Sequence, residues 1–330
     1  MRQIIDRYIL DLFDGLFLAL RDHLSVFTWD AQALCAIFML LYFGLKSYGM
    51  IAGDERLEVI PLLRPFAIAL VIILWGLFID LVNYPLKIVT DTSRALFDDR
   101  INEVDAISNQ RMQLIDEVAK RLIESSAELE EISEGAKDDS WYENLGIDFS
   151  SLFDQVKGYF ILIMAKFRFF SLQLIEYLVI TIFQLCSYLI FFLQIIFAGI
   201  LIILGPFSFA FSVLPGFKDA YIYWLARYIS VSLYSIIGYI IMSLSMVLVQ
   251  YGMEREIELL KYVLDNEAAF ILYVSQNDGG SNFFILTLLI GGFAMLSIPV
   301  ISTWIISTSG VANALSAMGR GTSRAVRLIS

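Results

Sequence analysis

The chain has 330 residues, 58% of them hydrophobic and 17% charged, with a mean hydropathy of +0.72, whereas an average soluble domain carries roughly 25% charged residues, so a water-soluble globular enzyme is set aside. The formal charge of −11 leaves no basic surface to neutralise phosphates, which disfavours nucleic-acid binding by the chain as a whole. The acidity is local: residues 85–157 hold 17 acidic and 8 basic side chains, which accounts for most of that net charge.

At the start of the chain, within residues 1–30, Ile5, Tyr8, Ile9, Leu12, Leu16, Phe17 and Leu20 recur at three- and four-residue spacing among Asp6, Arg7, Asp14, Arg21 and Asp22. This predicts an amphipathic helix, either lying along a membrane surface or packed on its own protein. The acidic residues among them are unlike the cationic and apolar regions of a secretory signal, so the segment is expected to be retained. His23 is the only histidine, which leaves no His-based metal cluster or triad to build.

Apolar runs of about 20 residues cross a ~30 Å hydrocarbon core as helices. Residues 31–84 supply two: Ala31–Tyr48, with Lys46 near its end, and Pro65–Tyr84, with Asp80 near its end. Both charges can snorkel to the interface.

Residues 85–157 place Val104, Ile107, Ile115, Val118, Leu122, Leu129 and Ile132 at near-heptad spacing, broken by Arg111 and Ser125. They predict one or two amphipathic helices that hairpin or bundle with neighbouring copies. Glu128, Glu130, Glu131, Glu134, Asp138 and Asp139 read as a solvated helix end, since no calcium-type loop is present.

Residues 158–308 hold three further spans. Gly158–Ile175 is apolar, but Lys166 and Arg168 at its centre would each cost about 2.5–3.5 kcal/mol on the insertion scale, so it reads as interfacial or as a helix extension. Between Glu176 and Lys218 lie 41 residues without a formal charge. Gly205-Pro206 is expected to stop or kink that helix, leaving Phe207–Phe217 as a short bent or re-entrant segment that ends at Pro215-Gly216. Tyr221–Tyr251, which carries Arg227, is the fourth span. Phe283–Ser307 is the fifth, with Pro299 and the pair Gly291 and Gly292, read as a close helix-packing site at a subunit or lipid interface.

The fold class is therefore all-α: a polytopic membrane protein of about five spans with a helical loop outside. Residues 309–330 carry Arg320, Arg324 and Arg327 and no acidic residue, which places that tail in the cytoplasm by the positive-inside rule. With five spans, the acidic segment and the N-terminus then fall outside.

No phosphate loop, nucleophile elbow or zinc-protease pair is present, so no catalytic, cofactor or metal residue is assigned. Cys35 and Cys186 lie in apolar runs and read as small hydrophobes. Arg227 follows Trp224 by three residues. It reads as an interfacial cation held by Trp224 and neighbouring tyrosines, against the alternative of a substrate or proton-relay site in a stand-alone solute transporter or channel.

The run Ile202-Ile203-Leu204-Gly205-Pro206-Phe207, then Phe211, Leu214-Pro215-Gly216-Phe217, Trp224 and Tyr228, and the tail Ser309–Ala314 resemble the TrbL/TraJ-type inner-membrane proteins of type IV (conjugative) secretion systems, in particular the TraJ branch of Bacteroides-type conjugative transposons. The resemblance covers residues 160–320 in sequence and the acidic segment in position only. It implies a non-enzymatic, homo-oligomeric channel or scaffold subunit of the bacterial inner membrane, in contact with stalk or pilus proteins, secretion ATPases, the lipid bilayer and, transiently, translocated DNA or protein. Gly205, Pro206, Leu214, Pro215, Trp224 and Arg227 fall on the family's motif. The tail is shorter than in many members.

Overall fold

The computed structural model describes residues 4–23, 27–52, 59–135, 149–275 and 282–306. Every regular element among them is helical: α1 (Arg7–His23), α2 (Thr28–Ile51), α3 (Val59–Ile73), α4 (Trp75–Gly135), α5 (Phe149–Phe211), α6 (Ala220–Asp265), α7 (Glu267–Ser275), α8 (Asn282–Leu296) and α9 (Ile298–Ile305), with one 3-10 turn at Pro215–Phe217. The basic tail, Gly279-Gly280 and the acidic residues Asp138 and Asp139 lie outside the described residues.

Among the described residues three helices are long and apolar enough to cross a membrane, or five if each of two bent pairs is one span: α3 with α4, bent by 83°, and α8 with α9, bent by 56°. These five match the apolar runs in the sequence. At the second bend Pro299 has no N–H to offer the helix, and the Ser297 hydroxyl donates to the Ala294 carbonyl at 2.6 Å, which is how serine beside proline bends a helix.

Two helix boundaries differ from the sequence expectation, and one agrees. Gly158–Ile175 lies within α5, as its reading as a helix extension expects. The helix of the second span continues without interruption through Pro85 into the acidic segment as far as Gly135. Gly205-Pro206 does not end α5, which runs on to Phe211; the chain stops instead at Leu214, whose backbone is extended (φ −74°, ψ 137°) ahead of Pro215. Proline disfavours the helical region for the residue before it; Leu214 is extended, whereas Gly205, like Tyr84 ahead of Pro85, stays helical.

The chain divides into two compact units. Unit 1 comprises Met1–Ile4, Phe97–Leu185 and Met242–Phe293, and unit 2 comprises Ile5–Leu96, Cys186–Ile241 and Ala294–Ser330.

In unit 1 the apolar stripe of the acidic segment is used within the chain. Val118 and Leu122 of α4 pack with Leu260 and Val263 of α6 and Phe270 of α7. The Arg121 guanidinium lies over the Phe270 ring at 4.8 Å and donates to the Leu264 carbonyl at 2.6 Å. The stripe, expected to hairpin or to bundle with neighbouring copies, thus finds partners on α6 and α7 of its own chain.

Gly291 also serves a contact inside unit 1. A Cβ there would lie 2.5 Å from Ser245 Oγ and 3.0 Å from Phe183 Cε2, and both Gly291 and Gly292 are buried. Gly291, read as a close helix-packing site, lies at an intramolecular seam of α8 with α5 and α6. Gly291→Ala is expected to lower stability by about 1–3 kcal/mol through overpacking, read by thermal unfolding in detergent. Adding Ser245→Ala should recover part of the loss, because it removes the nearest atom; strictly additive losses would refute the close contact.

In unit 2, α1 packs on its own protein. Ile5 and Leu10 are buried, the Asp6 N–H donates to the Tyr188 hydroxyl at 2.9 Å, and Arg94 pairs with Asp11. α2 is peripheral: 6% of its apolar window is buried, against 56% for α6. It touches α3 through Phe43 and Phe66 and α5 through Phe38 and Phe211, leaving Trp29, Leu40 and Tyr48 exposed.

Candidate functional site

The motif residues converge in unit 2 around Gly205-Pro206. A proline at position 206 has no N–H, so the carbonyl of Ile202, four residues earlier, loses its helical donor. The Trp75 indole N–H, from the start of α4, donates to that carbonyl at 3.2 Å. One residue back, the Trp224 indole N–H of α6 donates to the Leu201 carbonyl at 2.7 Å. Two tryptophans therefore seal the weak point of α5, and each buried indole finds the acceptor it requires.

Glycine at 205 makes room for them. A Cβ at that position would sit 2.3 Å from Trp75 Cζ2 and 2.9 Å from Trp224 Cε2. The rings form a cluster: Trp75 lies 5.1 Å from Trp224 and 5.4 Å from Phe209, and Trp224 stacks on Tyr228 at 5.2 Å with planes 9° apart. The Tyr228 hydroxyl donates to Asn83 Oδ1 at 2.8 Å. Helices α4, α5 and α6 are thus joined by rings and by directional bonds.

The turn after α5 holds Leu214 half-buried and Pro215 exposed. Arg64 of α3 is tied to it, donating to the Lys218 carbonyl and lying 5.8 Å from the Tyr221 ring. The small residues of α6 are spent on packing. Ser235 bonds Gln194 of α5, Ser230 and Ser302 of α9 share a hydrogen bond of 3.1 Å, and Gly238 lies against Phe191, Met295 and Ile298.

Arg227 stands apart from this cluster. Trp224 is buried and committed to Leu201 and Tyr228, so it does not hold Arg227, which is exposed. Trp224 is turned inward against Gly205, and Arg227, one residue short of a full turn further on, is left at the exposed edge of the same side of the helix.

Cavities open among the described residues of unit 2. One of about 380 Å³ is lined by Asp80, Lys87, Gln194, Ser232 and Ser235 with Phe13 and Phe191, so more polar groups converge there than the spans taken singly suggest. Another, about 610 Å³, is lined by Arg227, Phe197, Ile200, Val231, Tyr234 and Thr303, among others.

In unit 1 the sequence reading missed an ion triad. Arg111, which reads as a break in the apolar stripe, is buried. Its Nε and Nη2 donate to Glu256 at 2.7 and 3.1 Å, and its Nη1 and Nη2 donate to Glu176 at 2.9 and 3.2 Å. The guanidinium carbon lies 4.5 Å from the Phe284 ring centre. Glu176, which bounds the uncharged run of α5, and Glu256, in the charged C-terminal part of α6, are its partners. A charged residue at an apolar position of a heptad was the available signal. Among the described residues no group of three or more His, Cys, Asp or Glu is placed to hold a metal ion.

Residues 12–328 match the family described as homologues of TraJ from Bacteroides conjugative transposon. The match spans nearly the whole chain, acidic segment included, and the chain belongs to this family. No curated protein and no solved structure matches it.

Proposed function

We propose that this member of the TraJ family is a channel or scaffold subunit of a type IV (conjugative) secretion system, oligomerising in the bacterial inner membrane to support translocation of DNA or protein and assembly of the pilus or stalk. The observation that carries the reading is the family match over 12–328 in a chain with up to five membrane-crossing helices. The exposed apolar face of α2, with Trp29, Leu40 and Tyr48, supports it, because such a face needs lipid or a neighbouring subunit to cover it. In this reading the N-terminus is periplasmic, the tail is cytoplasmic and next to the secretion ATPases, and the protein is not an enzyme.

Purified in mild detergent, the protein is expected to run as an oligomer and to bring secretion ATPases with it. Trp224→Ala should insert normally and lose conjugative transfer. A monomer whose Trp224→Ala variant transfers at full rate would overturn the reading.

One observation favours a second reading, a stand-alone solute transporter or channel: the cavity with Asp80, Lys87 and Gln194 among apolar walls, since polar groups lining an intramembrane cavity mark substrate paths. It requires solute flux in liposomes holding this protein alone. Absence of flux, with ATPases co-purifying, rejects it.

A further inference from the structure

We propose that the 610 Å³ cleft of unit 2 binds an anionic phospholipid, with the lipid phosphate at Arg227 and an acyl chain along Phe197, Ile200 and Val231. The cleft is formed by α5 (Phe197, Ile200), α6 (Arg227, Val231, Tyr234) and Thr303 of α9. Its walls are apolar apart from one cation and a few hydroxyls, and the hydroxyls are engaged: Ser230 with Ser302, and Thr303 with the Val300 carbonyl at 2.6 Å. Arg227 has no hydrogen bond or ion pair among the described residues. A positive charge at the mouth of an apolar cleft is complementary to one class of ligand, an anion that carries a hydrocarbon chain.

The position along the helix agrees. The turn between α5 and α6 carries Lys218 and Asp219, with Arg64 bonded to it, and charges of this kind belong at the water–lipid boundary. Arg227 lies seven residues into α6, about 10 Å along the axis at 1.5 Å per residue, within snorkelling reach of that boundary. Val231 and Tyr234 lie farther in by the same measure. The cleft therefore runs from a cation near the boundary to apolar wall deeper down, the order in which a phospholipid presents phosphate and chain. Basic pockets between membrane helices bind anionic headgroups in this way. The inference rests on the chain being a membrane protein and not on the proposed role in transfer.

The test is native mass spectrometry of the detergent-purified full chain, titrated with phosphatidylglycerol and with phosphatidylcholine of identical acyl chains. Phosphatidylglycerol is expected to bind more tightly by roughly fivefold, the contribution of one basic residue at a lipid surface. Arg227→Gln should reduce its binding to the phosphatidylcholine level, and Arg227→Lys should retain part of the preference. Ile200→Trp, which fills the cleft, should weaken both lipids. Equal binding of phosphatidylglycerol by wild type and Arg227→Gln would overturn the proposal. So would an absence of preference in the wild type, or displacement of the lipid by glycerol 3-phosphate at comparable concentration, which would mark a site for small soluble anions.

Discussion

Gly205→Ala should unfold at markedly lower temperature in detergent than the parent chain, at a cost of about 2–6 kcal/mol, although in an isolated helix alanine stabilises relative to glycine by roughly 1 kcal/mol. The sign reverses because of what faces the glycine. The new Cβ would stand 2.3 Å from a Trp75 ring carbon, and that ring is held by Phe78, Phe209 and Trp224. Overpacking costs about 1–3 kcal/mol. If Trp75 retreats, its N–H leaves the Ile202 carbonyl, and an unsatisfied buried acceptor costs about 1–3 kcal/mol more.

The same geometry makes a sharper test with a double-mutant cycle. Trp75→Phe removes the donor to Ile202 together with part of the ring, so it should cost about 1–3 kcal/mol for the unsatisfied carbonyl plus a packing loss common to both backgrounds of the cycle. Pro206→Ala returns a backbone N–H to that carbonyl. The loss from Trp75→Phe should therefore be much smaller in the Pro206→Ala background. Equal losses in both backgrounds would show that the indole bond does not serve the proline gap.

How far the sequence foretold this depends on the kind of interaction. Helices and candidate spans were legible because they follow from local hydropathy, and the same five apolar runs recur in the structure. Of the residues singled out on the family's motif, Gly205, Pro206 and Trp224 lie together in unit 2. Their physical relation was not legible, since it needs a residue 130 positions away: Trp75 completes the hydrogen bonding of Ile202. Of the stop or kink expected at Gly205-Pro206, the stop does not occur, because a helix tolerates proline when a side chain replaces the missing donor. Heptad spacing in α4 correctly marked a buried stripe but not its partners, and self-association is only one way to cover such a stripe. The charges were least legible. Nothing local to Glu256 in the sequence shows that an arginine 145 positions away buries its carboxylate.

That burial gives the second large effect. Arg111→Met should destabilise the protein by about 3–5 kcal/mol, the cost of removing one partner from a buried ion pair. The Arg111 and Glu256 side chains are 3% and 2% exposed and that of Glu176 is 22% exposed, so neither solvent nor salt can take over the screening of Glu256. Four of the five guanidinium N–H donors are used on two carboxylates, and the Phe284 ring covers the cation. Removing Arg111 leaves two carboxylates facing each other, and like charges in contact raise the cost further. The comparison that isolates electrostatics from packing is the triple variant Arg111→Met, Glu176→Met, Glu256→Leu. It fills similar volume without charge and should be close to the parent in stability, because apolar replacement of a whole buried ion cluster is often neutral or favourable. Thermal unfolding of the two variants in the same detergent decides the matter: a single variant within about 1 kcal/mol of the parent would mean that the triad behaves as an exposed pair. A triple variant as unstable as the single one would mean that Arg111 acts by shape and not by charge. With the expected pair of results, the triad contributes specificity of packing: it selects the one register of α4, α5 and α6 in which a cation on the first meets carboxylates on the other two.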